Sequence, residues 1–139
     1  LAESPSVNLA IRHYASYPFV CYEGVVESDA GRELIEGQIT KIYYGYTRAS
    51  LEEFQANPRL PWFNAQGRPV AEGVIDVQYH HDGDYKGLMV MPEIVVSAPE
   101  GMNVVFRVGY LKKVGGSCWS SSEPLQTTYA ESGVFFKKN

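Results

Sequence analysis

The 139-residue chain carries 16 acidic against 12 basic residues, a net charge of -4, with 45% apolar and 20% charged residues, which suits one folded domain with one core and excludes a disordered polymer. Its longest basic runs are the pairs Lys112-Lys113 and Lys137-Lys138, so neutralising the phosphates of nucleic acid, or an acidic lipid surface, is not a main role. No stretch approaches the roughly 20 apolar residues of a bilayer-spanning helix, so membrane insertion is not expected.

A start at Leu1 in place of Met fits a trimmed product, for instance after removal of a signal peptide, and equally an artificial boundary. Residues 1–5, LAESP, read as a loose terminus and 6–139 as a single domain. Short segments rich in Val, Ile, Tyr and Phe, punctuated by Gly, Pro, Asn and Asp, point to strands and turns. Strands are expected at 6–13, 18–27, 35–46, 70–80, 87–97, 102–114 and 133–138. They make an all-β chain: one antiparallel β-sandwich, C2-like or immunoglobulin-like, of about seven to nine strands.

In 35–46, alternation places Ile39, Lys41, Tyr43 and Gly45 on one face and Gln38, Thr40, Ile42, Tyr44 and Tyr46 on the other. In GVIDVQY, Ile75, Val77 and Tyr79 oppose Val74, Asp76 and Gln78. The one helix expected is short, ASLEEFQAN at 49–57. Ser50 caps it, Glu52 and Glu53 sit in its first turn, and Pro58 stops it. Pro58, Pro61 and Pro69 make 57–69 an irregular loop that holds Trp62 and Phe63, either as a lid over one end of the sandwich or as a contact surface.

The segment QYHHDGDY, 78–85, gathers polar groups. Neighbours on a strand point to opposite faces, so His80 and His81 do not chelate one ion, and Asp82-Gly83-Asp84 reads as a hairpin turn. Calcium on Asp82 and Asp84 stays open, but two carboxylates fall short of a calcium loop, and no metal or cofactor is expected. Nor is an enzyme: there is no G-x-S-x-G, His13 lies on another strand, and Asp76 with Glu93 reads as solvated surface rather than a glycosidase pair. Cys21 and Cys118 lack C-x-x-C partners. They are read as a disulfide worth about 4 kcal/mol on the loop-entropy model, suited to an exported domain, with two buried thiols as the alternative.

Tyr43, Tyr44 and Tyr46 cluster in IYYGYTR. Tyr44 and Tyr46, with Trp62, are candidates for a shared binding face to which Arg48 or Arg59 adds hydrogen bonds; core packing and cross-strand pairing are the alternative.

The closing segments, SAPEG, MNVVFRVGY, GSCWSSS and YAESGVFF, resemble the last strands of starch-binding-type carbohydrate modules and related bacterial β-sandwich families. In those a tryptophan is followed by Asp, Asn or Ser, then Gly, then Asn-Tyr. Here Trp119 precedes Ser120 to Ser122, while Gly133 follows only after residues 123–132 and precedes Val134, Phe135 and Phe136. The resemblance covers about a third of the chain and implies a sandwich; no binding residue carries across. The sandwich shape and the aromatics, rather than a motif, lead to the expectation of a secreted or periplasmic, non-catalytic binding module for a carbohydrate or glycoconjugate. A protein-interaction or structural module, such as a secreted effector, toxin accessory or envelope component, is the alternative. The oligomeric state stays open.

Overall fold

A computed structural model describes residues 6–16, 21–77, 88–90, 94–114 and 126–139. In chain order its elements are β1 Ser6–Leu9, β2 Ile11–Ser16, β3 Cys21–Ser28, β4 Gly31–Thr47, α1 Leu51–Ala56, β5 Gly73–Asp76, β6 Leu88–Val90, β7 Ile94–Ser97, β8 Asn103–Lys113 and β9 Thr127–Lys137. Every pairing is antiparallel, and the strands form an all-β sandwich. One sheet is the pair β1-β7; the other runs β6-β2-β3-β4-β8-β9, with β5 on the second edge of β4.

The larger sheet folds back on itself through β4. Its first part, Gly31–Gly37, pairs with β3, and its second, from Gln38 to Thr47, pairs with β8. At the change of partner, Gly37 has φ 140°, a region that only glycine enters readily, and a Cβ there would collide with the carbonyl oxygen of Leu111 and lie 2.8 Å from its carbon. Three residues later Thr40 is an extra residue opposite β8, a bulge that bends the strand and shifts its faces. Ile35 and Ile39 are therefore buried before the bulge, and Ile42 and Tyr46 after it.

The β3-β4 hairpin thereby lies over β8 and β9. Asp29 in its turn donates its N–H to the Phe136 carbonyl at 2.9 Å and accepts from the Lys138 N–H at 2.6 Å, and Glu33 accepts from the Gly133 N–H at 3.2 Å. Between these layers lie Val26, Ile35, Ile39, Ile42, Val104, Phe106, Val108 and Phe135, joined by Leu9, Ile11 and Val96. Phe106 and Phe135 stack at 5.2 Å between ring centroids. Each such side chain contributes about 1.5–3 kcal/mol on burial.

A second cluster covers one end of the opposite face of β8: Val105, Phe136 and Phe54, with Leu51, Val134 and Trp62 against them. Six residues are too few for a helix that stands alone. α1 is held by Phe54 against Phe136, 5.5 Å between centroids, and by Ser50, whose hydroxyl accepts from the Glu53 N–H at 3.2 Å.

Three sequence expectations change here. The strand expected at 6–13 is two, β1 and β2, which join different sheets on either side of Ala10; the strand expected at 87–97 likewise divides into β6 and β7. Ile39 does not share a face with Lys41, because the Thr40 bulge reverses the alternation. By contrast, Ile75 and Val77 pack on the core while Val74 and Asp76 are exposed, as the pattern requires.

The pivot yields a controlled test. Gly31 has nearly the same φ, 132°, but nothing within 4 Å of where a Cβ would stand. Gly31→Ala should cost about 1 kcal/mol from backbone strain alone, and Gly37→Ala about 3 kcal/mol or more because the neighbouring backbone must also move. Urea unfolding that gives equal losses would refute the pivot.

Candidate functional site

Among the described residues, the outer face of the β5-β4-β8-β9 region is covered only at the α1 end. Beyond it the alternation presents Lys41 and Tyr43 from β4, Arg107 and Gly109 from β8, and Val74 and Asp76 from β5. A bulge brings β9 into the same plane: Arg107 pairs with Val134 and Gly109 with Glu131, so Ser132 and Gly133 together oppose Val108. This extra residue turns Tyr129 and Glu131 outward; in a regular strand Ala130 and Ser132 would follow Val134 on that face. The bulge is closed by the Ser132 hydroxyl, which accepts from the Val108 N–H at 2.8 Å and donates to the Gly133 carbonyl at 2.7 Å. Across β8, the Thr40 hydroxyl donates to the Gly109 carbonyl at 3.3 Å.

Gly109 is what lets a ring lie on the sheet. A Cβ there would collide with the Tyr129 hydroxyl and lie 2.9 Å from Cζ, so Tyr129 occupies the space that any other residue would fill. Its hydroxyl is 2.9 Å from that of Tyr43 and donates to Glu131 Oε1 at 3.4 Å, which makes Tyr43 the donor to Tyr129. Glu131 Oε2 in turn accepts from Arg107 Nη1 at 3.4 Å. A chain of polar contacts thus runs Tyr43, Tyr129, Glu131, Arg107, while Tyr129 remains 44% exposed. The phenol of Tyr129 is pushed well above its ordinary ionisation range, first by loss of water, then by its proximity to Tyr43 and by the negative charge of Glu131, to which its hydroxyl donates.

Arg107 contributes little to the fold. Its pair with Glu131 is about two-fifths exposed on both sides, the class of ion pair worth about 0–1 kcal/mol. Its Nε is buried without an acceptor among the described residues, an arrangement that costs about 1–3 kcal/mol. Residues whose stability balance is unfavourable are where function is sought.

The residues singled out from sequence are divided by the sheet. Tyr46 is 4% exposed, its hydroxyl donates to the Ser97 carbonyl at 3.0 Å, and burial raises its phenol's ionisation, with Tyr44 and Glu72 adding to the effect. Tyr44 meets it edge-on at 6.2 Å and lies over Gly73 against the main core. Trp62 lies over Gly45, on the other face. Alternation forbids the shared face expected for Tyr44, Tyr46 and Trp62, because residue 45 points away from 44 and 46. Arg48 and Arg59 are exposed, Arg48 reaching toward Gly67 and Arg59 in the turn after α1, where its N–H donates to Asn57 Oδ1 at 3.4 Å.

The 57–69 loop is packed down. Phe63 exchanges both backbone hydrogen bonds with Tyr46, 2.9 and 3.1 Å, and Asn64 Oδ1 accepts from the N–H groups of Gln66 and Arg68. Phe63 then enters the main core and Trp62 the second cluster. Cys21 opens β3 and His13 lies in β2, while Cys118, Trp119, His80, His81, Asp82, Asp84 and Glu93 lie outside the described residues. Asp76 is exposed beside Lys41 on the neighbouring strand. Among the described residues no group of three or more His, Cys, Asp or Glu could hold a metal ion, and no helix is long and apolar enough to cross a membrane.

Tyr129, Glu131 and Arg107 escaped the sequence reading. Their signal was the Ser132-Gly133 pair inside an otherwise strand-like run, the mark of a bulge that re-aims what precedes it. A concavity of about 590 Å³ lies between the Asp29 turn, the start of α1 and the last residues. Asp29 is tied there to Lys137, at 3.9 Å, and to the backbone of Lys138. No family model matches the chain, and no curated protein or solved structure matches it.

The fold favours the neutral phenol of Tyr129, so this contribution to stability is complete below the ordinary tyrosine pKa of about 10 and is lost as pH rises through the folded value. In NMR of Cζ-labelled tyrosine, Tyr129 should titrate later than exposed tyrosines; titration at the ordinary pH would break the hydrogen-bonded chain. In Gly109→Ala the ring is displaced, and the late titration should disappear.

Proposed function

We propose that the chain is a secreted or periplasmic, non-catalytic binding module that holds a carbohydrate or glycoconjugate on this outer face. One observation carries the reading. Tyr129 rests on the backbone of Gly109, is fixed by Tyr43 and Glu131, and remains 44% exposed. A sugar ring offers an apolar C–H face for such a ring and hydroxyls for fixed donors and acceptors at its border, here Tyr43, Glu131 and Arg107.

A protein-contact module is the second reading, favoured by Leu34 and Val95, 61% and 57% exposed. The deciding experiment is retention of the folded chain in gels containing soluble glycans. Wild type should be retarded, and Tyr129→Ala should weaken the apparent affinity by at least about tenfold, or about 1.4 kcal/mol. Arg107→Met should weaken retention yet leave the melting temperature unchanged or higher, since it removes an orphaned donor. Wild-type mobility unaffected by every glycan would remove the carbohydrate reading and leave the protein-contact one.

Export is tested through the cysteines. With Cys21 bonded to Cys118, the unfolded, unreduced chain should gain no mass from an alkylating reagent. Two added labels would sink the disulfide.

A further inference from the structure

Resting on the carbohydrate reading, we infer that the ligand is a linear, neutral glycan in an extended, ribbon-like conformation, laid along β4 and β8 from Tyr129 to Trp62. Two rings, not one, are seated on this face by the absence of a Cβ. Tyr129 lies over Gly109, and Trp62 lies over Gly45, where a Cβ would stand 2.9 Å from both Cβ and Cε3 of the indole. Gly109 pairs with Lys41 and Gly45 with Val105, so the two seats are four residues apart along the strands and one strand across. At about 3.3 Å per residue and about 4.8 Å per strand, that is about 14 Å, the reach of an oligosaccharide and beyond that of a single sugar.

The ground between the seats is polar. Tyr43 and Arg107 are register partners midway along it. No side chain larger than these rises from the register positions between the two rings. A helical or branched glycan would touch one ring and lift off the other, whereas a flat, equatorially linked chain meets both.

Among the described residues, the charges beside the two rings are matched. Arg107 is matched by Glu131 at 3.4 Å, and Lys41 stands opposite Asp76. An acidic glycan needs unmatched cations, and a neutral chain needs only fixed donors and acceptors.

The test is calorimetric titration of the full chain with cello-oligosaccharides and manno-oligosaccharides of increasing length, with malto-oligosaccharides as the helical class and polygalacturonate as the acidic one. Affinity for at least one extended series should rise at least tenfold with length and then level off. Trp62→Leu keeps an apolar group in the second cluster; with an unchanged melting temperature it should abolish the gain with length while short oligosaccharides bind as before. Tyr129→Ala should weaken every length. Affinity independent of length, or malto-oligosaccharides or polygalacturonate bound as tightly as the extended series, would overturn the ribbon inference while leaving the carbohydrate reading intact. No binding of any class by folded wild type would remove that reading and the inference together.

Discussion

The contact on which the rest of the molecule depends is the passage of β4 against the backbone of β8 at Gly37. One strand there leaves β3 and joins β8, and only a residue without a Cβ lets the two backbones come so close. Because the same strand serves both layers, the hairpin before the pivot must fold over the strands after it, which brings Val26 and Ile35 down on Phe106 and Val108. The carboxylate of Glu33 then meets the Gly133 N–H of β9 and that of Asp29 the Lys138 N–H just past its end, so part of an edge strand that would otherwise present open donors is closed by side chains.

The pivot also explains why β8 has two different faces. Inward it carries Val104, Phe106 and Val108, a buried alternating set; outward it carries Val105, Arg107 and Gly109, which pass from a covered end to an open one. The strands on either side bulge at neighbouring points of β8, Thr40 between the partners of Gly109 and Tyr110, and Ser132-Gly133 opposite Val108. Each bulge leaves local backbone groups unpaired and a hydroxyl takes up part of the difference. Without the β9 bulge, Tyr129 and Glu131 would leave the outer face, and Ala130 and Ser132 would stand there in their place.

Much of this was readable in the residues, and the limits have physical causes. Ser50, Glu53 and Pro58 defined the helix because capping is a local interaction, and Ile75 and Val77 separated from Val74 and Asp76 because regular alternation is local too. Sheet exchange at Ala10 was invisible, since alternation records which side a residue faces and not which strand it pairs with. The bulges were missed for a related reason: one extra residue reverses every later assignment, so Ile39 was placed with Lys41 and Tyr129 was not considered. Tyr44 and Tyr46 were noticed as a cluster, yet the period that puts them together also puts Trp62, seated on Gly45, on the other side of the sheet.

The two glycines that seat the rings tie the site to the core. Trp62 belongs to the second cluster through Val105 and Phe136, and Tyr129 is braced by a strand whose other residues complete the main core. Neither ring is carried by a freely moving loop, because Phe63 is bonded to β4 immediately after Trp62 and Tyr129 lies within β9. Side chains held in this way have little rotamer freedom left to lose, so if the proposed glycan binds here, a modest number of contacts would yield more net affinity than the same residues on mobile segments. The orphaned Nε of Arg107 follows the same logic: the guanidinium is kept in line with Glu131 at some expense to the fold, and the position is explained by what the outer face presents rather than by what the core requires.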